Sequence, residues 1–157
     1  MSRIHYARHD GNRQSGIGMI EVLIAVLVVS IGFLGMAALH AKALSTNNSA
    51  MARSMATVAT YSILDAMRTD VNSALAGSYN TASPMAANAC PAKGSSLSSA
   101  QLNQWCNQLG AALGATATTT GAINCTNLGL CTITIKFDDS RVGDSLSTQT
   151  VSTVTQL

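Results

Sequence analysis

The sequence predicts an α+β chain. A long N-terminal helix, apolar and membrane-spanning in its first half, packs through its second half on a small C-terminal antiparallel-sheet head. Three observations carry this. No charge occurs from Val22 to Leu39, a run that as a helix is just long enough to cross a bilayer. From Ile17 to about Ala76 there is no Pro, and Ala, Leu and Met recur, the composition of one continuous helix. All four Cys and a strictly alternating apolar segment fall in the C-terminal half. The chain therefore divides into a leader, 1–16, a spanning helix, 17–44, its amphipathic continuation, 45–77, and a disulfide-containing head, 78–157.

The leader carries Arg3, Arg8 and Arg13 against Asp10. Lys and Arg beside a span stay on the cytoplasmic side, so the C-terminal bulk is expected to cross. Lys42 and the polar stretch 45–48 mark the far end of the span. Glu21, the only Glu of the chain, stands at its near edge. An ionisable residue there is costly and points to function; alternatively its carboxylate reaches back to the headgroups. A secretory signal peptide cut at Ala41-Lys42-Ala43, or an anchor that is never cut, also fits the apolar run. Both leave Glu21 without a role.

The junction Gln14-Ser15-Gly16-Ile17-Gly18-Met19-Ile20-Glu21 resembles the class III signal of type IV prepilins and pseudopilins. The stretch from Met19 to Leu39, with Ser30-Ile31-Gly32-Phe33-Leu34-Gly35 inside it, resembles the minor pilins of the PilV type. The likeness is strong over 13–44 and fades beyond. It implies a type IV pilin-like fold, and cleavage by the prepilin peptidase between Gly16 and Ile17 with N-methylation of Ile17. It further implies that the Glu21 carboxylate pairs with the N-terminal amine of its own or a neighbouring subunit. The implied partners are the inner membrane and other minor and major pilins. The implied location is single-pass in the inner membrane with the C-terminus in the periplasm, then the extracellular fibre. The implied function is pilus assembly and initiation, supporting adhesion and twitching motility. A minor pseudopilin of a type II secretion system shares the leader and the Glu. Major pilins often have a Pro about one turn beyond this segment. Ala38 stands at the matching position, so any unwinding would have to use Gly32 or Gly35.

In the second half of the helix Ala56, Ala59, Ile63, Met67, Val71 and Ala74 recur every three or four residues and share one face, which is expected to pack on the head. A self-associating coiled coil is the alternative. Gly77 is a stop signal, and 78–84 reads as a loop. A variable-looking region, 81–97, holds both Pro. Ser98 or Ser99 can cap a short helix whose Leu102, Trp105, Leu109, Ala112 and Leu113 form an apolar stripe. Leu102-x-x-Trp105-x-x-x-Leu109 followed by Gly114 again resembles PilV-type heads, less specifically. Trp105, the only Trp, reads as core. Ile133, Ile135 and Phe137 alternate with Thr132, Thr134 and Lys136, the pattern of a half-buried strand. Asp138-Asp139-Ser140-Arg141 and Gly143 read as a turn, 116–124 as a possible strand, and the tail from Leu146 as a further strand. The Ser and Thr of that tail equally suit O-glycosylation or a flexible end.

Beyond the leader, six Lys and Arg stand against six Asp and Glu. No basic stripe suggests nucleic acid, and isolated cations such as Arg53 and Lys93 read as solvated. His5 and His9 lie in the leader, and His40 is most simply interfacial. No triad can be assembled in a pocket, so no enzyme activity and no cofactor are expected. Asp138, Asp139 and Asp144 flank a Gly but lack calcium-loop spacing. An even Cys count in an exported head reads as two bridges. Without a C-x-x-C pair a zinc site is the lesser alternative, and no metal is expected. Of three possible connectivities, sequence proximity favours Cys90–Cys106 and Cys125–Cys131.

Overall fold

The computed structural model describes residues 16, 18–139 and 148–157. The leader, Ile17, and the expected turn at Ser140, Arg141, Gly143 and Asp144 lie outside the described residues. The chain divides between His40 and Ala41 into two units.

Helix α1 runs Met19–Thr69. It opens after Gly18, whose carbonyl accepts from the Glu21 N–H at 2.9 Å. Glu21 sits in the first turn, where the helix dipole favours a carboxylate. The helix does not continue to Ala76. Asp70, at φ −131° and ψ 50°, interrupts it, and a five-residue helix α2, Val71–Leu75, follows. The cause is side-chain competition: the Asp70 carboxylate accepts from Ser73 Oγ at 2.7 Å and from the Tyr79 hydroxyl at 3.2 Å. Short polar side chains of this kind favour helix ends over interiors. The break shifts the helical phase. Ala56, Ala59, Ile63, Met67 and Ala74 are buried as a face, but Val71 is 40% exposed. Gly77, at φ +78°, closes the segment in the left-handed region that suits Gly.

The head's sheet is antiparallel in the order β1-β2-β3-β4. Its strands are β1 Met85–Ala86, β2 Thr120–Cys125, β3 Leu130–Asp138 and β4 Thr148–Gln156. Strand β1 falls in the region read as variable. The second strand starts at Thr120 rather than near 116, because the Thr116 hydroxyl accepts from the Thr119 N–H at 3.1 Å and holds a local turn there. Helix α3, Leu97–Leu113, is capped by Ser96, whose Oγ accepts from the Ser99 N–H. The cap is thus Ser96, not Ser98 or Ser99; Ser98 is buried inside the first turn.

One face of the sheet meets the helices. Cys131, Ile133, Ile135 and Phe137 of β3 and Ile123 of β2 join Ala56, Ala59, Ile63, Leu64 and Met67 of α1 and Trp105 and Leu109 of α3 in one core. Ala112 of the expected stripe is exposed, beyond the last buried residue of α3, Leu109. Gly121 makes the close approach possible. A Cβ built there would lie 2.6 Å from Trp105 Cη2 and 2.7 Å from Leu109 Cδ1.

Cys90 is bonded to Cys106, and Cys125 to Cys131. The first bond ties α3 to the segment before it. The second joins directly opposed residues of β2 and β3, across a turn in which Gly129 has φ +83°. Cross-linking shrinks the unfolded ensemble, and closing a loop of about 15 residues contributes about 3 kcal/mol. Replacing Cys90 and Cys106 together by Ser is expected to lower the stability of the head by about that amount. A denaturant midpoint unchanged from the parent would refute it.

Candidate functional site

The first unit presents a helix around which no other described residue is packed. From Met19 to His40 every residue of α1 is exposed. The large apolar side chains Leu23, Val26, Leu27, Ile31, Phe33, Leu34 and Leu39 point to all sides of it. The mean hydropathy of its apolar window is 2.8, and none of that window is buried. Apolar surface on every side of a helix requires lipid or other helices. The helix satisfies its own backbone, as a segment in hydrocarbon must. Its hydroxyl at Ser30 donates to the Val26 carbonyl at 2.7 Å, so it too is paired. Among the described residues, one helix is thus long and apolar enough to cross a membrane. Glu21 lies one turn into it and Gly16 is exposed just before it. Ile17, the other half of the expected cleavage site, lies outside the described residues.

In the second unit, polar contacts fix α1 on the sheet. Ser49 Oγ donates to the Asp139 carboxylate, and both residues are buried, Asp139 to 3% exposure. Asp139 is therefore not a solvated turn residue, because a helix hydroxyl covers it. Arg53 Nη2 donates to Gln149 Oε1 at 2.6 Å, so this exposed cation also touches β4. The Trp105 indole N–H donates to the Ala59 carbonyl at 2.9 Å and locks α3 to α1.

Tyr79 is the residue that sequence reasoning missed. It lies in the segment read as a loop, yet its side chain is fully buried. Its hydroxyl meets Gln101 Oε1 of α3 and Asp70 Oδ2 at the end of α1. Only its size among small neighbours hinted at this. Burial, and then the negative charge of Asp70, push the phenol up to about 12 from its ordinary 10.0. The neutral phenol is favoured by folding, so its contribution is fully present below pH 10 and is lost as pH rises from 10 to about 12. We expect the melting temperature of the detergent-solubilised chain to fall across this window, and Tyr79→Phe, which has no proton to lose, to flatten the fall. Identical slopes for the two proteins would refute the assignment.

Among the described residues no group of three or more His, Cys, Asp or Glu is placed to hold a metal ion, and none of their Cys is free. Comparison of the chain with protein-family models, with curated proteins and with solved structures gives no match.

Proposed function

We propose that this chain is a minor pilin-like subunit, held in the inner membrane by the first half of α1 and then built into a type IV pilus, where it promotes fibre assembly. One observation carries it: a helix that no other described residue covers from Met19 to His40, with a single carboxylate in its first turn just after Gly16, leads into a disulfide-bonded α+β head. Ordinary signal peptides and anchors need neither the Gly nor the carboxylate. The head supplies surface for contacts with other subunits.

The test is the mass of the membrane-extracted chain. It should begin at methylated Ile17, and Gly16→Leu should leave uncut precursor in the membrane, because a peptidase must fit the chain closely at the cut. A chain beginning after Ala43 would overturn the proposal. A pseudopilus subunit would share Gly16 and Glu21, and recovery of the chain in sheared surface fibres separates the two.

A further inference from the structure

The end of the head that carries α2 holds apolar side chains in the open. Leu128 is 80% exposed, Val154 62%, Leu130 46% and Leu75 36%. They adjoin one another. Leu75 lies against Gly129, its Cδ2 3.3 Å from a Cβ built there. Leu130 opposes Gln156. Val154, two residues before Gln156, stands on the same outer face of the sheet. Leu128 sits in the turn between β2 and β3, whose flanking residues the Cys125–Cys131 bond joins.

The backbone of this turn is satisfied from within. The Thr126 N–H donates to the Leu130 carbonyl, and the Gly129 N–H to the Thr126 carbonyl. The Leu157 N–H donates to the Gly129 carbonyl at 2.9 Å. The Leu130 N–H donates to Thr126 Oγ1 at 3.1 Å, and the Gln156 amide reaches across to the Leu128 carbonyl. Charge is absent as well. No charged side chain occurs in 71–92, 94–135 or 148–157, the stretches that build this end. Asp70, just before α2, is tied to Ser73 and Tyr79.

We propose that this tip inserts Leu128 into a lipid surface of zwitterionic headgroups, other than the membrane that holds the first half of α1. Contiguous exposed apolar side chains mark contacts with proteins or with membranes, and three observations favour lipid. Four side chains are far fewer than the roughly 20–30 residues a side of a stable protein interface. They suffice for a turn that enters only the boundary between headgroups and acyl chains, about 5–10 Å deep. Backbone groups already bonded inside the protein lose little on leaving water, where unpaired ones would be costly. No Lys or Arg stands here to hold an anionic headgroup. The choice of a second lipid surface rests on the proposed membrane insertion of α1, because the helix rises about 42 Å from Ala41 to Thr69, just before α2; the lipid-binding tip itself does not rest on it.

Flotation with added vesicles tests it. The full chain is embedded in lipid nanodiscs and mixed with phosphatidylcholine vesicles. The vesicles should carry the discs upward, equally in 0.1 M and 1 M salt to within about twofold, since the contact is apolar. Leu128→Ser should lower the captured fraction about tenfold or more, because one large apolar side chain no longer leaves water. Leu128→Phe should keep capture at the parental level or above. Both variants alter an exposed side chain and should keep the two disulfides and the parent's melting temperature. Escape of α1 from disc to vesicle would be the same in all three proteins, so the difference between them reads the tip alone. Equal capture of parent and Leu128→Ser, or no capture of either, would overturn the proposal. Capture only by vesicles containing phosphatidylglycerol, and its loss in 1 M salt, would replace the apolar contact by a headgroup charge and overturn it too. A chain that stays out of the discs would overturn the membrane reading of α1, and the same vesicles added to that chain would still test the tip.

Discussion

Glu21→Ala is expected to leave membrane insertion and cleavage after Gly16 intact while removing most of the chain from sheared fibres. The substitution makes an already uncharged helix more apolar, so insertion does not suffer. The loss comes later. On the proposed processing the new N-terminus is a charged amine, and methylation would not neutralise it. In a bundle of such helices little water remains, and a buried charge without its partner costs about 3–5 kcal/mol. At about 1.4 kcal/mol per factor of ten, docking is disfavoured by roughly two to three and a half orders of magnitude. Glu21→Asp keeps the charge but shortens its reach, and should fall between. The measurement is the ratio of chain in sheared fibres to chain in membranes, with cleavage followed by mass. A processed Glu21→Ala chain entering fibres at the parental level would show that the carboxylate merely reaches to the headgroups.

What the sequence disclosed was what depends on near neighbours. The apolar span is legible because no charge interrupts it and its own side chains are apolar on every side. Strand β3 is legible because Ile133, Ile135 and Phe137 alternate strictly with polar residues. The α1 face through Ala56, Ala59, Ile63 and Met67 is legible because their spacing fits one turn of helix. The failures involve partners far away in the chain. The end of α1 depends on a Tyr79 hydroxyl that no local pattern announces. Asp139 looked like a turn residue because its cover, Ser49, is 90 residues away. Strand β1 exists only because β2 lies beside it, Met85 opposite Gly121. Ser96, Ser98 and Ser99 are chemically alike as caps, and the path of the preceding chain selects among them. The candidate site divides in the same way: the position of Glu21 follows from the helix, while the group proposed to meet it belongs to a proposed assembly.

The largest loss of head stability is expected at Trp105. Its ring is 2% exposed and lies where α1, α3 and β2 converge, with the indole N–H on the Ala59 carbonyl. Trp105→Ala removes a large buried side chain and leaves a cavity, which costs about 3–5 kcal/mol. The lost hydrogen bond adds about 1 kcal/mol, because Ala59 can still accept within its own helix. Set against a total stability of about 5–15 kcal/mol for a domain of this kind, that is a large fraction. Gly121→Ala attacks the same contact from the other side. Its new Cβ would sit 2.6 Å from Trp105 Cη2 and 2.8 Å from Cζ3, and overpacking of this sort costs about 1–3 kcal/mol. Together the two changes should not add. Once the ring is gone only Leu109 Cδ1, at 2.7 Å, still crowds the new methyl, so Gly121→Ala should cost at least about 1 kcal/mol less in the Trp105→Ala background than alone. Denaturant unfolding of the four proteins in detergent, with the disulfides intact, measures this coupling. Strict additivity would mean that Gly121 is small for a reason other than the ring of Trp105.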